Sequence, residues 1–140
     1  MDLIEKYRES KDGYHPFLIR EGWQVAQLNY MDELKIGNIG KLDVHNHTDE
    51  VFILLKGKAV LIGAELKEDI PDLQVELMKP HIVYNIPKGT WHNIAMAEGS
   101  EVIIVEKSNT HLSDYEFHPL SPENKKELQL LVRNAFEENL

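Results

Sequence analysis

Residues 45–57 read HNHTDEVFILLKG, a polar stretch with two histidines followed by an apolar run that ends at a glycine. His45 and His47 are spaced i, i+2, so both side chains point to one face if this segment is a strand. The apolar run from Val51 to Leu55 predicts another strand, and Gly57 supplies the positive φ that a tight turn requires. The stretch therefore predicts a histidine-bearing strand that leads into a β-hairpin.

Further strands are predicted on both sides of this hairpin. Short runs rich in β-branched and aromatic residues span residues 17–19, 23–30, 58–62, 73–78, 82–86, 91–97 and 101–106. Residues 63–72 are predicted to form a solvated loop, because they contain Glu65, Lys67, Glu68, Asp69 and Pro71. Many short strands followed by one helix predict an all-β sandwich or barrel.

Two of the predicted strands, Val51–Leu55 and Val102–Val105, are apolar on both faces, so both faces are expected to be covered. The barrel interior covers one face, and a second layer, a helix or a partner subunit covers the other. A C-terminal α-helix over residues 122–138 is predicted, because Ser121 and Pro122 favour a helix start and apolar residues then recur at helical spacing. A short N-terminal helix around residues 3–7 is a further option.

The composition limits the class of protein. At 140 residues the chain is expected to form one domain, with a barrel core over about residues 16–107. It has no cysteine, which excludes disulfides and thiolate metal sites, and its formal net charge of −9 disfavours nucleic acid and anionic membranes as partners. No apolar stretch reaches the roughly 20 residues of a membrane-spanning helix, and the N-terminus lacks a signal-peptide pattern. A cytoplasmic protein is therefore expected.

A second histidine-bearing stretch reads PKGTWH at residues 87–92. Its last residue, His92, lies far from His45 in sequence, and Glu50 follows His47 after a short turn. Three imidazoles and one carboxylate suit a divalent first-row transition ion such as Fe, Mn, Ni, Cu or Zn. The hypothesis is that His45, His47, Glu50 and His92 bind one such ion. The alternative is that the histidines are bonded to backbone carbonyls and that Glu50 ends a turn.

These two stretches resemble the paired motifs of the cupin superfamily. The first motif, G-x5-H-x-H-x3,4-E-x6-G, is matched by His45, His47, Glu50 and Gly57, and the second, G-x5-P-x-G-x2-H-x3-N, by Pro87, Gly89 and His92. The sequence departs from the motifs in three respects: only two residues separate His47 from Glu50, Gly40 is one position too near His45, and His81 and Met96 replace the outer glycine and asparagine of the second motif.

The resemblance implies a single cupin domain over residues 1–140, folded as a double-stranded β-helix or jelly roll. Such proteins often form dimers, and the metal, when present, lies inside the barrel mouth. The family includes dioxygenases, isomerases, epimerases, lyases, sugar binders and metal-free members. The remaining histidines lack ligand spacing and are predicted to lie on the surface or in loops: His15, His81, His111 and His118.

The sequence leads to two hypotheses about function. Ile94 and Met96 share the strand face of His92, which predicts an apolar cavity that holds a small organic ligand by one polar end. The first hypothesis is a homodimeric metalloenzyme that acts on a small organic acid or sugar-like molecule; no general acid or base can be assigned. The alternative is a metal-free or degenerate-site cupin that serves as a small-ligand-binding, sensory or structural dimeric barrel.

Overall fold

Two antiparallel five-stranded sheets face each other in the structure, a computed structural model that describes residues 2–138. The strands are β1 (Gly13–Arg20), β2 (Trp23–Asn29), β3 (Lys41–Val44), β4 (Glu50–Lys56), β5 (Ala59–Lys67), β6 (Ile70–Leu77), β7 (Tyr84–Ile86), β8 (Trp91–Met96), β9 (Glu101–Glu106) and β10 (Glu116–Pro119). The first sheet has the order β1-β2-β9-β4-β7, and the second has the order β10-β3-β8-β5-β6. The predicted all-β architecture is confirmed.

The space between the sheets is filled by alternate residues of the central strands. Along β4, Glu50, Phe52 and Leu54 are buried, whereas Val51 and Ile53 are half-buried on the other face. The inner core also contains Ala26, Leu28, Leu61, Ile94, Met96, Val102 and Ile104. Because side chains alternate with period two, the same inward face that carries the core also carries Glu50 at its end.

A helix of four turns covers the outer face of the second sheet. α2 (Pro122–Phe136) begins after Ser121, whose hydroxyl accepts a hydrogen bond of 3.1 Å from the backbone N–H of Asn124. Leu128, Val132 and Ala135 are buried in a cluster with Val60 and Ile62 of β5 and other residues. Burial of each large aliphatic side chain stabilises the fold by about 1.5–3 kcal/mol. The predicted C-terminal helix is confirmed.

The short helix considered at the N-terminus does not form. Residues 2–10 have no helix or strand, and the side chains of Leu3 and Ile4 are 94% and 79% exposed. A single turn or two of helix is not stable without a surface on which its apolar face packs. In the part of the chain that the structure describes, no helix has the length and apolar character needed to cross a membrane.

The predicted loop over residues 63–72 is also wrong, because β5 and β6 form one long hairpin through it. The turn lies at Glu68 and Asp69, whose φ angles of 52° and 65° both fall in the left-handed region that two-residue hairpin turns use. The charged residues lie on an exposed ribbon, where Lys67 and Asp72 form an ion pair of 3.5 Å. High polarity here reflects exposure and not the absence of a strand.

Strands also extend beyond the predicted core of residues 16–107. β1 begins at Gly13, and β10 pairs with β3 after the short helix α1 (Thr110–Ser113). Two short 3-10 turns, Asp32–Leu34 and Ile36–Asn38, connect β2 to β3. Residues 1, 139 and 140 of the predicted domain lie outside the described residues.

We predict that Gly57→Ala destabilises the protein more than Gly22→Ala. Both glycines have a positive φ, +85° and +87°, and alanine there costs about 1–2 kcal/mol. At Gly57 the added Cβ would also lie 2.8 Å from Ser100 Cα, whereas nothing lies within 4 Å at Gly22. This overpacking adds about 1–3 kcal/mol. Equal losses of unfolding free energy in urea denaturation would contradict the prediction.

Candidate metal centre

His45, Glu50 and His92 bring three potential metal ligands together at one end of the barrel. One nitrogen of each histidine and one carboxylate oxygen of Glu50 all lie within 4.8 Å of one another. His92 Nε2 is 2.9 Å and His45 Nε2 is 3.6 Å from the same oxygen, Glu50 Oε1. Glu50 begins β4 of the first sheet, whereas His92 lies on β8 and His45 follows β3 of the second sheet. The group therefore bridges the two sheets.

Backbone carbonyls hold both imidazoles in the orientation that a metal requires. His92 Nδ1 lies 2.9 Å from the carbonyl oxygen of Thr90, and His45 Nδ1 lies 2.6 Å from that of Asp114. Because a carbonyl oxygen only accepts, each Nδ1 carries a hydrogen and donates it. The Nε2 atoms are then the free positions, and they face Glu50. This is the arrangement by which outer groups usually orient metal-bound histidines.

The charges within this group are strongly coupled. Burial by itself would raise the pKa of Glu50, but the nearby imidazoles of His45 and His92 outweigh it and lower the pKa to about 2. Burial by itself would lower the pKa of His45, but the nearby carboxylate of Glu50 raises it to about 9. The pKa of His92 is raised for the same reason. In the metal-free protein, protons on Nε2 thus neutralise the buried carboxylate.

Asp43 is a further candidate ligand that lines the same cavity, although it lies outside the group of three whose ligand atoms are within 4.8 Å of one another. It lies on β3, and its Cα is paired with that of His92 across the sheet. Its Oδ1 atom is buried and has no hydrogen-bond partner among the described residues. Burial raises the pKa of this carboxyl. A buried carboxylate oxygen without a partner is costly, and a cation is the kind of group that would satisfy it.

Asp43 also changes the register of the first motif. Four residues lie between His45 and Glu50, one lies between Asp43 and His45, and five lie between Gly37 and Asp43. The spacing G-x5-H-x-H-x4-E-x6-G is therefore matched from Gly37 to Gly57, with aspartate in place of the first histidine. The sequence contained this signal, but the conspicuous histidine pair obscured it.

His47, predicted as the fourth ligand, lies outside the group. Its side chain is exposed, and its backbone N–H donates a hydrogen bond of 3.0 Å to Asp114 Oδ2. The prediction assumed that His45 and His47 share one strand face. β3 ends at Val44, so residues 45–47 form a bend in which strand alternation does not apply.

Asp114 fixes this bend from a distant part of the chain. Its carboxylate accepts hydrogen bonds from the backbone N–H groups of Asn46, at 2.9 Å, and His47. Its carbonyl oxygen holds the ring of His45. One residue after α1 therefore sets both the path of the loop and the direction of a ligand.

A cavity of about 350 Å³ adjoins the three-residue group. Aliphatic side chains form much of its wall, from Leu28, Met31, Leu34, Ile94 and Ile104. Two aromatic rings at its rim, Tyr115 and Phe117, lie with their centroids 5.3 Å apart. This agrees with the apolar cavity predicted from Ile94 and Met96, although only Ile94 lines it and Met96 is buried in the core.

A second buried polar cluster lines the cavity, and sequence reasoning missed it. Glu106 accepts hydrogen bonds from the Tyr14 hydroxyl and from Gln24 Nε2, the latter at 3.2 Å. Gln24 Nε2 also lies 3.2 Å from His111 Nδ1, so His111 is not a surface histidine. Burial, followed by the charge of Glu50, raises the pKa of Glu106 to about 7. The signal for Glu106 was its place in the inward series Val102, Ile104, Glu106 of β9.

Comparison with other proteins identifies the fold. No protein-family model matches the sequence, and no curated protein matches it. A Klebsiella pneumoniae protein with a double-stranded β-helix domain superposes with a TM-score of 0.53 at 14% identity, over 81% of this chain and 84% of its own. The chain therefore has the double-stranded β-helix fold of the cupins, as the motif resemblance implied.

Two enzymes share this fold. The TDP-quinovose 3,4-ketoisomerase of Campylobacter jejuni has a TM-score of 0.53 at 17% identity, over 81% of this chain and 78% of its own. The hydroquinone 1,2-dioxygenase of Sphingomonas sp. TTNP3, solved with 4-hydroxybenzoate bound, has a TM-score of 0.54 at 7% identity, over 71% of this chain and 68% of its own. At these identities the likeness concerns the fold alone.

We predict that the metal-free protein loses stability as the pH rises from about 6.5 to about 9. In this range the folded protein keeps a proton on His45, whose pKa is raised to about 9, and the unfolded chain releases it. The stability contributed by the His45 proton is therefore fully present below about pH 6.5 and is lost as the pH approaches 9. Urea denaturation in the presence of a chelator measures the slope.

Glu50→Gln tests whether Glu50 causes this pH dependence, because the substitution removes the negative charge that keeps the proton on His45. The pH-dependent loss is expected to shrink in this variant and to persist in His47→Ala, which leaves the group intact. An unchanged slope in Glu50→Gln would show that the coupling to Glu50 is not its source.

Proposed function

We propose that Asp43, His45, Glu50 and His92 bind one divalent transition ion and that the protein is a metalloenzyme acting on a small organic molecule in the adjoining cavity. The observation that supports this best is the convergence of His45, Glu50 and His92, together with the unpartnered, buried Oδ1 of Asp43, the residue that pairs with His92 across the sheet. Two imidazole nitrogens and two carboxylates suit Fe or Mn well and are compatible with Zn, Ni or Cu. This set replaces His47 of the sequence hypothesis with Asp43.

The chemistry follows from what each group contributes. When bound, the ion would polarise a substrate oxygen or activate oxygen or water. Asp43 and Glu50 supply negative charge, and the carbonyls of Thr90 and Asp114 keep the two Nε2 atoms aimed at the ion. The Glu106 carboxyl and the Tyr14 hydroxyl are the proton-bearing groups on the adjoining wall. They are our candidates for holding or transferring a proton at the substrate.

The cavity supports a small substrate. Its volume of about 350 Å³ lies at the lower end of the roughly 300–1,000 Å³ range of ligand pockets. The sequence suggested a small organic acid or a sugar-like molecule, and both classes have this size. Two enzymes share the fold, but a shared fold does not imply a shared function. The proposal therefore depends on the residues of this site.

A metal-free ligand-binding barrel is the second candidate function. The observation that favours it is that Glu50 pairs with both histidines without an ion, so the group is self-sufficient when its imidazoles are protonated. In this case the same cavity would bind a small molecule without transforming it.

We further propose that the protein is a cytoplasmic homodimer. The support for a dimer is the half-buried apolar outer face of the first sheet, formed by Val51, Ile53, Ile103 and Val105 and left uncovered by α2. The support for a reducing compartment is the absence of cysteine from the sequence.

We predict that the purified, tag-free protein contains about one transition ion per chain, in line with one set of ligands. His92→Ala should remove the ion, and Asp43→Ala should weaken its binding, because each deletes a proposed ligand. His47→Ala should retain it and is the matched control. Elemental analysis before and after dialysis makes the measurement. Absence of metal from the wild type, even after incubation with each candidate ion, would favour the metal-free barrel.

Asp114→Ala is expected to lower metal affinity by about 10–100-fold without removing a ligand, the usual effect of losing an orienting group. The variant keeps the carbonyl that bonds His45 but releases the backbone N–H groups of Asn46 and His47. Competition with a chelating dye measures the affinity. The surface variant Asp72→Ala is the control. Equal metal affinities of the two variants would show that the Asp114 carboxylate is not needed to hold the bend of residues 45–47.

A further inference from the structure

We infer that this cavity selects an uncharged, largely apolar small molecule with its polar atoms at one end, and that it rejects molecules whose far end is a carboxylate or a phosphate. The inference rests on the proposed function, because it names the substrate class for that site. It narrows the two classes suggested by the sequence, since it disfavours organic acids that carry their charge away from the metal centre and sugar-like molecules that carry hydroxyls around the whole ring.

The charge of the lining is the first observation. Among the described residues that line the cavity there is no lysine or arginine, whereas Asp43, Glu50 and Glu106 contribute three carboxyl groups. With a divalent ion bound, the charges of Asp43 and Glu50 balance it, and the two ligating imidazoles are neutral. The centre therefore has no positive excess with which to attract a distant anion.

The third histidine of the lining lies next to the acidic cluster. The backbone N–H of Asn109 donates to Gln24 Oε1 at 2.8 Å, which turns the Gln24 amide nitrogen toward the cluster. This nitrogen lies 3.2 Å from both His111 Nδ1 and Glu106 Oε2. His111 is therefore adjacent to a carboxyl group of the lining.

One cation near the lining is already engaged. Lys41 precedes Asp43 by two residues, and its Nζ lies 3.7 Å from the centroid of the Phe117 ring. Lys41 is not among the lining residues, although Phe117 is. Its ammonium group thus lies over a ring of the lining and is not itself part of the cavity wall.

The polar groups that remain free are concentrated at one end. Asn93 also lines the cavity, but its side chain donates to the carbonyl of Lys41 and accepts from the N–H of Ile94. Glu106 accepts from Tyr14 and Gln24 and lies at the same end as Glu50, because Val105 of β9 pairs with Val51 of β4. Asp43 Oδ1 is the buried atom without a partner in the described chain, and it lies by the metal ligands. A ligand is therefore met by polar atoms at this end and by Leu28, Leu34 and Ile104 beyond it.

These observations predict that the cavity discriminates between ligands by the group at their far end, the end away from the metal ligands. A carboxylate against the aliphatic wall would lose its hydration without gaining a partner, which is strongly unfavourable. A methyl group in the same position would gain from burial. The preference comes from the wall, and it does not depend on which ion is bound.

The test compares 4-methylcatechol with 3,4-dihydroxybenzoate, which share the same pair of hydroxyls and differ in the group opposite. Isothermal calorimetry is performed on metal-loaded, full-length protein. We expect the methyl compound to bind at least about tenfold more tightly, because the carboxylate is desolvated without a partner. Equal or tighter binding of the benzoate would overturn the inference.

Met31→Lys locates the cause of the preference. Met31 lines the cavity and is half-buried, so a lysine there can reach a far-end carboxylate while Met31→Gln adds length without charge. The preference for the methyl compound should shrink several-fold in Met31→Lys and persist in Met31→Gln. An unchanged preference in both variants would contradict the inference.

The metal content of the same samples separates this inference from the proposed function. A protein that holds no ion counts against the proposed metalloenzyme, and the two compounds are then compared with the metal-free protein, where the same preference is expected. Lack of binding of both compounds in both states would overturn the inference. A bound ion with no preference between the compounds would overturn the inference alone.

Discussion

The buried carboxylate of Glu50 is the constraint on which the rest of the site depends. It is 5% exposed, and a carboxylate at that depth is tolerated only when paired. Its partners, His45 and His92, come from the side of the opposite sheet. The charge of Glu50 is therefore neutralised only when the two sheets pack together. The carbonyls of Thr90 and Asp114 then serve a single purpose, which is to turn both Nε2 atoms toward Glu50.

Glu106 extends this constraint into the cavity. It lies on the inward face of β9, next to β4, and burial together with the charge of Glu50 raises its pKa to about 7. Tyr14 and Gln24 stabilise it through hydrogen bonds, so the first sheet carries a second carboxyl at the same end of the barrel. The polar side chains thus gather on one side of the cavity, and the remaining wall is left to Leu28, Ile94 and Ile104.

The sequence was most informative where spacing follows directly from local geometry. The interval from Glu50 to Gly57, the Pro87-x-Gly89-x2-His92 pattern and the Ser121 cap predicted β4, the β8 entry and α2 correctly. It was least informative where a strand end decides the geometry. β3 stops at Val44, so the side chain of His47 is exposed and lies outside the group of three, whereas Asp43, on the strand, pairs with His92 across the sheet. Glu106 and Tyr14 were missed because their pairing joins residues 92 positions apart.

Asp43 is the residue on which the proposal of a metal centre, in preference to a self-contained polar core, depends. Protonated imidazoles of His92 and His45 lie 2.9 and 3.6 Å from Glu50 Oε1 and would neutralise this carboxylate without a metal. They do not satisfy Asp43 Oδ1, which lacks a partner in the described chain and at that depth costs about 1–3 kcal/mol. A divalent cation would replace the two Nε2 protons and satisfy both carboxylates at once. The unpartnered Asp43 Oδ1 is therefore the observation that favours the proposed metal ion over protons alone as the occupant of this site.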